Sequence, residues 1–264
     1  MYNFFAKLQN FLESSTDHST SDHTIAEYIL RNLSAIPSMT IYQLASACHL
    51  SPATVSRFCR KFENITFKEL KEQASEFIDF NRNEIQSPPL PSNLVAVRTY
   101  FEELTSSLEE TEALLNQQAI QDAVELITRA EKLSFFGVTF SNVIARNAQI
   151  KFMRLGKYTA SYGNHENQLL EAESLQPDDT AVVISFSGDT RFIVKLTKVL
   201  KKKKIPIIAL TGNSAGHLAQ MADVILRTST EKLEAFKSPL IEEINLQVII
   251  NTLYMMYSAS LGKK

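Results

Sequence analysis

The chain has 264 residues, 44% of them hydrophobic and 21% charged, enough apolar material for one large or two ordinary globular domains and unlike a disordered tail. A formal net charge of −2 excludes nucleic-acid binding by bulk electrostatics, so any contact with phosphates has to come from a local cluster of Lys and Arg. The opening MYNFFAKLQNFLESS lacks the basic start and cleavage site of a secretory signal, and no apolar run is long enough to cross a bilayer, which predicts a cytoplasmic protein with no membrane partner.

Taken in chain order, the first part carries only helical periodicity. Ser19 is a cap candidate with Asp22 three residues on, followed by an apolar stripe of Ile25, Ala26, Ile29, Leu30 and Leu33. Thr40 and Gln43 form a capping box that opens a second helix with Ile41, Leu44, Ala45 and Cys48 on one side. Ser51-Pro52 starts a third, carrying Val55, Phe58, Cys59 and Phe62, with Pro52 in the first-turn position that tolerates it. Only His49 and Leu50 separate these two helices, too few residues for an antiparallel hairpin and suited to the steep crossing of a helix-turn-helix. A further capped helix runs from Thr66, with Glu69 as box partner, to about Asn81.

The stretch QSPPLPSN, residues 86–93, removes amide donors and forces an extended path, which places a DNA-sized helical domain at 1–86, a linker at 87–93 and a second domain at 94–264. Beyond it, helices near 94–116 and 119–130 precede strands at 133–136, 158–160, 180–184, 205–210 and 224–226, with helical segments between them. The alternation predicts a five-stranded, mostly parallel sheet with helices on both faces, whose ligands gather at the carboxyl ends of the strands.

Two regions carry chemistry. In the third helix, Ser51, Ala53, Thr54 and Arg57 lie on the first two turns beside the apolar stripe, where a recognition helix meets base edges; Arg57 suits bidentate contact with guanine, and Arg60 and Lys61 follow on the exposed face. Thr40, at the start of the preceding helix, is the further DNA-contact candidate. From Ser51 to Lys71 five basic residues stand against two acidic ones, a local net of +3, whereas residues 1–86 together hold eight basic and ten acidic residues. A single module of this size contacts too little DNA for useful affinity, so a homodimer or homotetramer is expected on operator DNA.

In the second region, Ser185-Phe186-Ser187-Gly188-Asp189-Thr190 follows the strand at 180–184 and leads into a helix beginning near Asp189. Such a turn aims hydroxyls and backbone amides at one point, with the partial positive charge of a helix N-terminus behind them, and makes a phosphate cradle that needs no metal. Gly137, Thr139 and Ser141 end the first strand in a similar turn, and Thr211 ends the fourth; all three turns are expected to line one edge. Gly188 lets backbone approach the ligand.

Other features have plainer readings. Cys48, His49 and Cys59 do not supply a four-ligand metal spacing, and both cysteines fall on apolar stripes, so no metal is assigned. Lys201 to Lys204 reads as a solvated helix end, His165, Glu166 and Glu171 as a helix surface, and 240–261 as core plus a subunit interface.

These segments resemble the RpiR family of sugar-phosphate-responsive regulators, which join a helix-turn-helix to a sugar isomerase (SIS) domain of flavodoxin-like α/β type. The resemblance rests on IAEYIL at 25–30, MTIYQLASACHLSPATVSRFCRKF at 39–62, FKELK at 67–71, FFGVTFSNVIARNAQIKFMRLGK at 135–157, DDTAVVISFSGDT at 178–190 and PIIALTGNSAGHLAQMADVIL at 206–226. It implies that Ser185, Ser187 and Thr190 hold the phosphate of a sugar and that residues of the first turn touch the sugar itself. The chain departs from the family at Thr139, where a second glycine is usual, and at Glu63-Asn64-Ile65, where a leucine-glycine turn is common.

The leading expectation is therefore a non-catalytic, DNA-binding regulator of sugar or amino-sugar metabolism, without cofactor, whose operator affinity a phosphosugar controls. The alternatives are an SIS-type isomerase, for which Glu231 and Glu234 after the last strand are the candidate carboxylates, and a regulator whose SIS domain is only structural.

Overall fold

The computed structural model describes residues 3–63, 65–85, 93–231 and 239–262. The chain divides into two compact units, Met1–Pro88 and Pro89–Lys264. Most of the expected linker, and Glu234, lie outside the described residues. No helix among the described residues is long and apolar enough to cross a membrane.

The first unit consists of α1 (Asn3–Ser14), α2 (Ser21–Arg31), a 3-10 turn (Ile36–Ser38), α3 (Ile41–Ala47), α4 (Pro52–Glu63) and α5 (Phe67–Ile85). α1 was not anticipated; it adds Phe5 and Leu8 to a core formed by Ile25, Ile29, Leu44, Val55, Phe58, Cys59 and Leu70. Burial pushes the Cys59 thiol up to about 11. The cap of α2 is Thr20, whose hydroxyl accepts from the His23 amide, and Ser19 bonds instead to Asp17. Both capping boxes form: Thr40 Oγ1 accepts from the Gln43 amide and Thr66 Oγ1 from that of Glu69, while each partner's side chain takes the cap's own N–H. α5 runs on to Ile85, past the expected end at Asn81.

The turn between α3 and α4 closes by backbone geometry. His49 takes φ 55°, its N–H donates to Ser46 O, and the Leu50 N–H donates to Ala45 O. This is a Schellman ending with a histidine in the left-handed position that glycine usually fills. It stops α3 abruptly enough for α4 to cross it.

The second unit holds α6 (Asn93–Leu114), α7 (Gln117–Arg129), β1 (Lys132–Phe136), α8 (Phe140–Arg154), β2 (Tyr158–Ser161), α9 (His165–Ser174), β3 (Thr180–Ile184), α10 (Arg191–Lys202), β4 (Ile207–Thr211), α11 (His217–Met221), β5 (Val224–Arg227) and α12 (Glu242–Leu261). The strands pair in parallel in the order β2-β1-β3-β4-β5. Strand alternation sorts residues to two faces: Val182 and Ile184 pack with α7, α8 and α12, while Ala181 and Val183 pack with α9, α10 and α11. Both faces being covered explains why the strands read as nearly unbroken apolar runs.

Glu171 is not a surface residue. Its side chain is 5% exposed, 2.6 Å from Lys132 Nζ, and accepts a hydrogen bond from Ser134 Oγ. Burial works against the Lys132 charge, but the bond and the charge of Glu171 outweigh it and hold the ammonium above its usual range. His165 stacks on the Phe192 ring at 3.9 Å, and Glu166 alone of that trio is exposed.

Candidate ligand pocket and DNA-reading helix

With the order β2-β1-β3-β4-β5, the direction of strand addition reverses between β1 and β3, and a crevice opens there beyond their carboxyl ends. A pocket of about 590 Å³, counting the space at its open mouth, occupies this place. Val138, Thr139, Phe140 and Ser141 line it from the turn after β1, and Ser185, Phe186, Ser187 and Thr190 from the turn after β3. The third wall is the start of α12, with Glu242 and Glu243.

The sequence motif brings together five of its eight expected ligand residues: Thr139, Ser141, Ser185, Ser187 and Thr190. Within the cradle, Ser187 Oγ lies 3.4 Å from Thr190 Oγ1 and accepts from the Asp189 amide at 3.4 Å. α10 begins at Arg191 with Thr190 as its cap residue, two residues later than expected, and the Asp189 carboxylate before it turns to the next loop. It accepts from the His217 amide at 2.9 Å, bonds His217 Nδ1 at 2.7 Å and accepts from Asn213 Nδ2, and the His217 contacts hold the carboxyl below its usual range.

The other three shape the turns without lining the pocket. Thr211 is fully buried; its hydroxyl donates to Phe186 O at 3.0 Å and accepts from the Asn213 amide. It ends β4, which lies on the far side of β3 from the crevice, so it braces the cradle from behind. Gly188 has φ +67°, a left-handed conformation that bends the cradle loop. At Gly137 a Cβ would stand 2.6 Å from the Ser141 carbonyl oxygen, so the start of α8 packs directly on bare backbone.

Thr139 has φ 51° and ψ −123°, the corner conformation of a type II′ turn in which glycine predominates. A β-branched residue there stores about 1–3 kcal/mol of strain. The departure noticed in sequence thus keeps the backbone path that glycine would favour.

The helices opening on the pocket share one property. α8, α10 and α12 begin without a side-chain cap, whereas α7 and α9 of the same unit are capped by Asn116 and Asn164. A helix start without a side-chain cap still presents the positive end of its dipole to an anion. Among the described residues that line the pocket there is no Lys, Arg or His, so anion binding would fall to hydroxyls and amides.

Glu242 and Glu243 escaped sequence reading because they come from the far end of the chain; the one signal was a pair of acids opening an otherwise apolar helix. Glu242 is 7% exposed, and burial together with the Glu242 charge raises the Glu243 carboxyl above its usual range. Glu231, the earlier carboxylate candidate, lies outside the lining and accepts from Ser106 Oγ.

On the helical unit, Ser51, Ala53, Arg57 and Arg60 are exposed along one side of α4, with Thr54 half-buried beside them. Ser51 Oγ accepts from the Thr54 amide at 3.2 Å, and Arg57 Nη2 donates to Thr54 Oγ1 at 3.4 Å. Lys61 departs from the expected reading face: its ammonium is paired with Asp22 of α2. Thr40 is exposed at the start of α3, in a shallow cleft with Lys68 and Lys71 of α5.

A helical unit with an exposed cationic helix, followed by a doubly wound sheet with a polar cradle at its switch point, defines a two-domain protein of the helix-turn-helix class. Residues 3–78 match the helix-turn-helix domain of the rpiR family and residues 126–257 match the SIS domain. The chain belongs to the RpiR family of transcriptional regulators, a helix-turn-helix joined to an SIS domain. It is 26% identical over 268 residues to the HTH-type transcriptional regulator HexR of Escherichia coli, covering 99% of this chain and 90% of that one. Its fold is similar to that of the Vibrio vulnificus NanR protein, solved in complex with ManNAc-6P, at 20% identity and TM-score 0.60 over 99% of this chain and 93% of that one. It is also similar to phosphoheptose isomerase GmhA from Neisseria gonorrhoeae, at 19% identity and TM-score 0.54 over 62% of this chain and 97% of that one.

Proposed function

We propose that this regulator senses a phosphorylated sugar in the crevice between β1 and β3 and changes its operator affinity in response. The observation that carries this reading is the convergence of two uncapped helix starts, those of α8 and α10, on one pocket with five hydroxyl side chains from the two turns. Ser185, Ser187 and Thr190 hold the phosphate, Thr139 and Ser141 meet the sugar, and Gly137, Gly188 and Thr211 keep the turns in shape. Ser51, Ala53, Thr54, Arg57 and Arg60 read operator DNA, with Thr40 on a flanking phosphate, and the protein works in the cytoplasm. Two such modules are needed for a specific site, and the exposed apolar residues Val143, Ile150 and Met153 of α8 support assembly as a homodimer or homotetramer. Ligand binding shifts operator affinity by about 1–3 kcal/mol.

Fluorescence anisotropy of the protein on its own upstream DNA, at fixed salt, with and without a panel of hexose, pentose and amino-sugar phosphates, tests this. Specific binding altered by one phosphosugar supports the reading, and absence of DNA preference rejects it. Isomerase activity is the second reading, favoured by one observation: the Glu243 carboxyl, the class of group that can serve as a base, lies in the pocket, where burial and the neighbouring Glu242 raise it above its usual range. Turnover of a phosphosugar by the purified protein would establish it.

A further inference from the structure

The walls of the pocket differ in charge. The β1 and β3 turns offer hydroxyls and helix-start amides, which suit a phosphate, while the start of α12 offers two carboxylates. Glu242 is more than nine-tenths buried, and it stands next to Glu243 on the same wall. Taking a carboxylate out of water is costly, and bringing a further anion against two of them more so. Whatever part of a ligand lies against this wall has to bring hydrogen-bond donors.

From the opposition of these walls we infer that Glu242 and Glu243 select the class of sugar: the pocket admits phosphosugars whose remote end carries hydroxyls or a protonated amine, and excludes phosphorylated sugar acids. The inference rests on the phosphosugar reading above. A free carboxylate on the ligand would face two of the protein's own, with no Lys or Arg among the described lining residues to neutralise it. A hydroxyl donates to a carboxylate, and an ammonium adds charge attraction to the same bond.

The test uses the full-length protein and three probes of one phosphate and six carbons: glucose 6-phosphate, glucosamine 6-phosphate and 6-phosphogluconate. Affinities are measured by titration calorimetry for the wild type, Glu242→Gln, Glu243→Gln and Ser187→Ala, with thermal unfolding of each variant to establish that it is folded. The expected wild-type order is amine, then neutral sugar, then acid, with the acid weaker than the neutral sugar by about tenfold or more. Either glutamine variant should narrow that gap by weakening the amine and strengthening the acid, whereas Ser187→Ala should weaken all three alike. If 6-phosphogluconate binds the wild type as tightly as glucose 6-phosphate while Ser187→Ala weakens both, the pocket reading stands and the selection by α12 is overturned. If none of the three binds, the inference is overturned, and the wider phosphosugar panel decides the reading it rests on. Should one glutamine variant not fold, the wild-type ranking and the other variant still decide the matter.

Discussion

The helices of the two units begin differently. In the helical unit α2, α3, α4 and α5 close their first turns with their own side chains, through Thr20, Thr40, Ser51 and Thr66. In the α/β unit the three helices that border the pocket do not, although each of two has a threonine in the cap position. Thr139 Oγ1 donates to Val138 O, and Thr190 Oγ1 lies against Ser187. The same residue type therefore caps helices in one unit and does not cap them in the other. Helix starts left without a side-chain cap on the walls of one polar pocket are where an acceptor from outside is expected.

The largest effect should come from closing the space that an open start needs. Gly137→Ala puts a methyl against the Ser141 carbonyl and should destabilise the second unit by about 2–3 kcal/mol, read from urea unfolding. Next, Ser187→Ala should weaken phosphosugar binding about tenfold or more in calorimetry while leaving the unfolding midpoint unchanged, because this hydroxyl closes no helix. A matching fall in stability would erase the contrast between the units. Thr40→Ala and Thr66→Ala should do the reverse, each costing about 1 kcal/mol of unfolding free energy with phosphosugar affinity intact.

Thr139→Gly relieves the strained turn and should raise stability by about 1 kcal/mol, while removing a hydroxyl that faces the pocket; calorimetry should then record weaker binding by a more stable protein. The smallest effect concerns pH. The Thr66 amide and hydroxyl donate to Glu69 and hold its carboxyl below the ordinary value of 4.5. A lowered pKa in the folded state stabilises above that value and is lost as pH falls below it. Acid unfolding of the wild type should show this slope between pH 4.5 and lower values, and Thr66→Ala, which removes the hydroxyl but keeps the amide, should make it shallower.

Much of this contrast was legible in the sequence, and what was not has a common cause. Thr40 with Gln43 and Thr66 with Glu69 are local pairs, three residues apart, so spacing alone identifies them. Ser185, Ser187 and Thr190 are readable because a strand pattern ends just before them. The misplacement of Thr211 came from strand order, since its turn looks like the others and only the pairing of β4 on the far side of β3 removes it from the crevice. Glu242 and Glu243 reach the pocket from more than fifty residues beyond the cradle, a distance that no periodicity bridges. Glu171 looked like surface on a short helix, and only the neighbouring β1 with Lys132 and Ser134 buries it.

One consequence lies in α12 itself. One turn in from the pocket, fully buried Asn245 donates to Ser107 Oγ and Ile241 O and accepts from Thr111 Oγ1, fastening α12 to α6. Thr111 is in turn an acceptor for the Ser229 amide beyond β5. A displacement of the first turn of α12 must carry α6 with it or break buried hydrogen bonds, at about 1–3 kcal/mol for each group left unmade. α6 is the first helix after the proline-rich segment that follows the DNA-reading unit. The wall of the pocket and the root of that segment are thus linked like a piston and its rod, with one asparagine as the pin.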